Sequence, residues 1–367
     1  MATRFTHVTL PQRVRFGRGL VAEHLVEEVA RLGSRRVMVV STGREEHDRP
    51  DLLDGIPVTL RWTEVRQHVP LEDAERARLA ARAAGADLLL ALGGGSAVGL
   101  AKAVALTDRI PVVAVPTTYA GSEATDVWGL TLGGSKTTGT DPAVLPVAVV
   151  YDPALTDRMP TALAVASGLN ALAHCVDALW APRADPVNRA LALEGARLLA
   201  AGLRAVAAGA EGEDRDGALL GAHLAGVAFA SAGSGLHHKV CHVLGGSYDL
   251  PHAATHAVVL PHVLALNGPA VPGAAAGLAD ALGAWGTEPG SGPASALHAL
   301  HALRSDLHAP TALRDLGLAE GDLADAAVRC LAVVPPSNPV PVSREAMSLL
   351  LRSAWAGGVT GSADPAG

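Results

Sequence analysis

The sequence predicts an α/β N-terminal domain, a Rossmann-like parallel sheet, followed by an all-α C-terminal domain. Three observations carry that expectation. Short apolar runs alternate with helical segments between residues 36 and 151. Each of three such runs ends in a polar turn rich in Gly, Ser or Thr: Ser41-Thr42-Gly43, Gly93 to Ser96, and Thr117-Thr118. Beyond Asp152-Pro153 the pattern becomes helical to the end. We therefore expect one domain over 1–153 and a second over 154–367, with the active site in the cleft between them.

In chain order, residues 5–16 alternate weakly and suit an edge strand or hairpin closed by Phe16-Gly17. A helix is expected over 20–31, stopped by Leu32-Gly33. Arg36 to Val40 is a short strand, and Val58-Thr59-Leu60 a second. Residues 71–84 form a helix, with Glu72 and Asp73 at the positive end of its dipole. Asp87 to Leu92 is a buried strand running into Gly93, and 97–106 is the helix after the turn. Ile110 to Val115 and Val147 to Tyr151 complete the strands. Buried strands alternating with helices imply a parallel sheet covered on both faces, with ligands at the carboxyl ends of the strands. Helices are expected over 161–181, 187–208, 214–231, 236–244, 256–266, 270–284, 291–305, 309–316, 320–331 and 343–356. Pro335 to Pro339 reads as a Pro-stiffened lid or spacer, and the segment after Gly357 as a loose tail.

Composition narrows the class. The 367 residues are 49% hydrophobic and 18% charged, which is globular and rich in core. A net charge of −7 without any basic run argues against a nucleic-acid partner. No run approaches the roughly eighteen apolar residues a membrane span needs, and no secretory signal opens the chain. Cys175, Cys241 and Cys330 are odd in number and too few for a disulfide framework, so a reduced, cytoplasmic protein is expected. Cys175 and Cys241 read as packing residues, not nucleophiles.

The chemistry concentrates in Gly235 to His252. His237, His238, His242 and His252 fall within sixteen residues. His238 and His242 share a helix face, and His237 with Cys241 forms the next stripe. Gly245-Gly246 is expected to end that helix, so that the following turn returns His252 to the same cavity. One buried histidine is usually a satisfied core residue; four in this pattern point to an active site. A second pair, Asn170 and His174, is also spaced i, i+4. With His238 and His252 it offers one amide and three imidazoles. A buried Asn–His hydrogen bond, a metal site and a metal-free polar pocket are all compatible with that set, although iron or zinc normally wants a carboxylate among its ligands.

Gly93, Gly94, Gly95 and Ser96 lie between a strand and a helix, where glycines admit a phosphate and the helix N-terminus supplies N–H donors. With Thr117 and Thr118 at the next strand end, pyrophosphate binding is the better reading. Thr42 stands where an acidic residue would select a free ribose hydroxyl, so either NADH or NADPH is expected.

These pieces resemble the iron-containing alcohol dehydrogenase superfamily and, within it, the maleylacetate reductase branch. The resemblance is carried by Ala91 to Ser96, Ala114 to Glu123, Gly168 to His174 and Gly235 to His252. It implies the dehydroquinate synthase-like architecture of that superfamily and an NAD(P)H-dependent reduction of maleylacetate to 3-oxoadipate in aromatic catabolism. In the metal-dependent members an Asp and three His hold the ion. Those positions fall on Asn170, His174, His238 and His252, so the resemblance implies vestigial ligand positions and no metal. It further implies His242 or His252 as proton donor, with His174, His237 and His238 holding substrate oxygens. Asn170, Tyr119, Ser122 and Lys136 are candidate substrate contacts. The branch tends to carry more basic residues than the loop Ser135 to Asp141 offers, where Lys136 stands beside threonines. A metal-dependent alcohol dehydrogenase, a reductase of another substrate and a non-redox enzyme on the same fold remain alternatives. A homodimer is expected from the edge strand and from family precedent.

Overall fold

The computed structural model describes residues 4–132, 135–283 and 292–358, without the side chains of 135–136 and 292–295. The strands and helices of the first part are β1 (Arg13–Phe16), α1 (Val21–Leu32), β2 (Val37–Val40), α2 (Arg44–Asp48), β3 (Val58–Trp62), α3 (Leu71–Ala83), β4 (Leu88–Gly93), α4 (Gly95–Asp108), β5 (Val112–Pro116), β6 (Val127–Leu132), β7 (Ser135–Thr140) and β8 (Ala148–Tyr151). Six of them form one sheet in the order β1-β8-β5-β4-β2-β3, and every pairing is parallel. Every residue of β2, β4, β5 and β8 is buried, as an apolar strand covered on both faces must be. The chain steps from β2 out to β3, then returns to the other side of β2 for β4. That reversal places the carboxyl ends of β2 and β4 at the switch point where open α/β sheets take ligands.

The remaining helices are α5 (Thr161–Ala178), α6 (Pro186–Ala207), α7 (Asp216–Ala232), α8 (Leu236–Tyr248), α9 (His252–Asn267), α10 (Pro272–Ala281), α11 (Gly292–Asp306), α12 (Leu323–Ala332) and α13 (Arg344–Ala356). The chain divides into two compact units. One is Leu10–Met159 with Glu211–Leu219, and the other is the rest. The division falls six residues after the expected boundary at 153, because a 3-10 turn at Pro153–Thr156, capped by Asp152, still belongs to the sheet-bearing unit. Arg18 draws in the detached segment by pairing with Asp157 at 2.7 Å and Asp216 at 2.5 Å. No single helix among the described residues is long and apolar enough to cross a membrane.

Several expectations need correction. Residues 135–140 form the second strand of an antiparallel hairpin, not a loop. Trp128 faces Gly139 across that pair, and the absent side chain gives the indole its place. Helix α8 runs through Gly245-Gly246 to Tyr248 and ends where Asp249 turns left-handed at φ 53°. Two glycines weaken a helix by only about 1 kcal/mol each, and packing overrides that. Helix α9 starts at His252, four residues before the expected 256. Over 309–316 there is only a 3-10 turn, Leu313–Leu316. The Pro-rich segment is tied down: Asn338 and Asn267 exchange two side-chain hydrogen bonds of 2.9 Å.

Candidate active site

The phosphate turn takes its shape from glycine. Gly93 sits at φ +143°, outside the reach of ordinary side chains. A Cβ on Gly94 would lie 2.9 Å from Thr118 Cγ2. Helix α4 begins at Gly95 with no side-chain cap, leaving its first amides for a ligand. Thr117 N–H bonds Gly93 O at 3.2 Å, so the two strand ends form one surface. Ser122 Oγ lies 3.9 Å from where a Gly95 Cβ would be, and among the described residues it is buried without a partner. Thr42 is exposed at the end of β2. Two carboxylates follow it that the sequence reading did not weigh: Glu46 pairs with Arg61 at 2.7 Å, and Glu45 accepts from Thr117 Oγ1 at 3.1 Å.

Tyr119 is fully buried, and burial raises the pKa of its hydroxyl. That makes it part of the unit's interior, unlike the substrate contact expected of it. Lys136 pairs through its backbone with Thr131, and its side chain lies outside the described residues. A different lysine organises this region: the fully buried Lys102 donates to Ser122 O, Thr125 O and Val127 O at 2.6, 2.7 and 3.0 Å. Burial lowers its pKa to about 7, against the pull of Glu123 and Asp126.

In the other unit the histidines assemble. Asn170 and His174 lie on one face of α5, and His237, His238 and His242 on α8. His252 opens α9, and His256, one turn later, joins them. The rings of His174 and His238 stack 4.7 Å apart at 19°, with Phe229 against both at 4.7 and 4.4 Å. His256 lies centrally, 4.7 Å from His238, 4.4 Å from His252 and 4.9 Å from His237, measured between ring centres. His242 stacks on His252 at 6.1 Å.

Burial sorts these rings into two kinds. His174, His237, His238 and His256 are buried, whereas His242 and His252 are exposed. Burial pushes His174 and His237 down to about 3, and His238 and His256 well below the usual range. All four are neutral at pH 7. His237 engages the cluster through one nitrogen: its Nε2 is 2.9 Å from His256 Nδ1 and 3.7 Å from Cys241 Sγ. It thus supports His256, while its Nδ1 is buried without a partner among the described residues. Among the described residues, Asn170 Oδ1, His174 Nδ1, His238 Nε2 and His256 Nε2 are buried without hydrogen-bond partners. Such atoms need a polar ligand or water to satisfy them.

Asp177, which the sequence reading missed, holds His238. Its carboxylate lies 2.7 Å from His238 Nδ1. Burial pushes its pKa up to about 7, against the backbone N–H groups of His238, Gly235 and His237. A local signal existed. Asp177 is the only acidic residue of α5, spaced three residues from His174 and seven from Asn170.

The four expected ligand positions, Asn170, His174, His238 and His252, supply no carboxylate, and the rings of His174 and His238 stack on one another. Among the described residues, the one trio of His, Cys, Asp or Glu with donor atoms all within 4.8 Å is His237, Cys241 and His256. Its short edge is a ring-to-ring hydrogen bond, and burial keeps the Cys241 thiol protonated. Cys175 is likewise buried, with its thiol pKa raised.

Comparisons with known proteins agree with this architecture. The family model described as iron-containing alcohol dehydrogenase matches residues 11–153, and that of the Fe-containing alcohol dehydrogenase family, C-terminal, matches 164–355. A maleylacetate reductase from Delftia acidovorans is 41% identical over 356 residues, covering 96% of this chain and 98% of its own. The crystal structure of an iron-containing alcohol dehydrogenase from Corynebacterium glutamicum superposes with TM-score 0.91 at 50% identity, covering 97% and 98% of the two chains. That of maleylacetate reductase from Agrobacterium tumefaciens gives 0.89 at 39% identity, covering 97% and 99%.

Proposed function

The chain belongs to the iron-containing alcohol dehydrogenase family and is an oxidoreductase, and from that premise we propose that it reduces the enone double bond of maleylacetate to 3-oxoadipate with NADH or NADPH, without a metal. The observation that carries this reading is the pairing of full-length similarity to maleylacetate reductases with a pocket of neutral imidazoles that lacks a carboxylate at the ligand positions. An amide at Asn170 leaves a divalent ion's charge unbalanced.

The Gly93 to Ser96 turn, Thr117, Thr118 and Ser122 hold the cofactor's phosphates and neighbouring groups. Reduced nicotinamide, when bound, supplies the hydride. The hydride adds to the alkene carbon β to the ketone, giving an enolate that then takes one proton at the adjacent carbon. Substrate oxygens accept from the Asn170 amide NH2 and from the protonated nitrogen of His174, while water or a substrate donor completes Asn170 Oδ1 and His238 Nε2. The proton comes from His242 or His252, the exposed members that exchange with solvent. Thr42 and the neutralised Glu46 leave either nicotinamide acceptable.

The test is an anaerobic assay with fresh maleylacetate. One 3-oxoadipate per nicotinamide oxidised, measured by NMR and absorbance, supports the assignment. Oxidation of neither cofactor by folded protein that binds both overturns the substrate. Chemistry without a change in nicotinamide absorbance favours a non-redox enzyme.

We also propose a homodimer through the open edge of β1, where Val14, Phe16 and Leu20 are exposed, in a reducing cytoplasm consistent with three free cysteines. A monomeric mass by light scattering removes the dimer.

A further inference from the structure

Three donors converge on Asp177 Oδ2: Gly235 N–H at 3.0 Å, His238 N–H at 3.2 Å and His238 Nδ1 at 2.7 Å. The two amides open α8, whose N-cap Gly235 brings no side-chain cap of its own. Asp177 thus caps α8 from another helix and meets the positive end of its dipole. Gly235 permits this approach, since a Cβ there would overlap Asp177 Oδ1.

The same oxygen decides the tautomer of His238. Oδ2 accepts two backbone N–H groups and therefore carries no proton. Whatever the charge of the carboxyl group, Nδ1 of His238 must be the donor, and Nε2 holds the lone pair. His174 and Phe229 against the ring prevent it from turning. Asp177 also lies within ion-pair distance of the His238 ring.

We propose that Asp177 is a positioning residue: it fixes the ring of His238 with Nδ1–H donated to Oδ2 and turns the Nε2 lone pair toward the substrate, where it accepts a hydrogen bond from a substrate donor or from water held beside it. This rests on the reading of the histidine pocket as the substrate site. Asp177→Asn keeps an oxygen for both amides of α8 and removes the charge, so the fold is expected to survive. With maleylacetate, kcat should fall about 10-fold or more, as for the loss of a group that orients a site histidine. KM, nicotinamide affinity and Tm should stay near wild type. In ¹⁵N spectra of histidine-labelled wild type, with His238 assigned through His238→Gln, Nδ1 should be protonated and Nε2 bare. A proton on Nε2 in that spectrum, or Asp177→Asn with kcat within three-fold of wild type, overturns the proposal. Should maleylacetate not be turned over at all, the functional reading falls, while the spectrum still decides the positioning of His238.

Discussion

At the scale of residues, the site separates storage of neutral polarity from exchange of protons. His174, His237, His238 and His256 are buried and neutral, while His242 and His252 face solvent. A proton donor must be refilled each turnover, which the exposed pair can do and the buried four cannot. At least one of His242→Gln and His252→Gln is expected to lower kcat about 100-fold or more with little change in cofactor affinity. Steady-state kinetics on both variants checks this, and two variants within three-fold of wild type would move the donor elsewhere. The sequence showed five of these six rings because their spacings are local. It did not show Asp177 as their partner, because its bonds to Gly235 and His238 span 58 and 61 residues. His256 was legible as one turn beyond His252, but only once that residue was placed on a helix instead of in the turn before it.

At the scale of elements, the cofactor turn depends on backbone lying where side chains cannot. Gly94→Ala puts a Cβ 2.9 Å from Thr118 Cγ2, so either Thr118 or the turn must shift. Nicotinamide Kd, followed by fluorescence titration, should rise about ten-fold or more, in line with the loss of well-placed phosphate donors. An unchanged Kd would mean that the phosphates bind elsewhere. The turn was readable because a buried strand, glycines and a helix occur in unbroken order. The β6–β7 hairpin was not, since its second strand, Ser135 to Thr140, contains no apolar side chain and takes its register from a partner carrying Trp128. The ends of α8 and α9 were misplaced for a related reason. Glycine pairs and His-Ala-Ala stretches carry weak periodicity, and tertiary packing set those boundaries.

At the scale of the molecule, burying neutral imidazoles couples stability to pH. His174 and His237 accept protons only near pH 3 when folded, but near 6.5 when unfolded. Between those values the unfolded chain binds more protons, so stability must fall as pH drops from 6.5 toward 3. Each such proton contributes up to about 1.4 kcal/mol per pH unit. Urea midpoints between pH 7 and pH 5 should decline, and His174→Gln should flatten the slope; a flat wild-type profile would contradict the burial. The parallel sheet and the helical second unit were legible in the sequence because both follow from hydrophobic patterning. The return of residues 211–219 to the sheet-bearing unit was not, because Arg18 secures it through partners at 157 and 216.

Hydride transfer to an enone is proposed here for a pocket that works without a metal. Its most direct test is turnover of maleylacetate with NADH and NADPH by enzyme stripped with chelator, with residual iron and zinc measured in the same sample. Full activity is expected at far below one metal per chain, with no gain on adding either ion. Activity that appears only when iron or zinc is restored would contradict it and return Asn170, His174, His238 and His252 to the role of ligands.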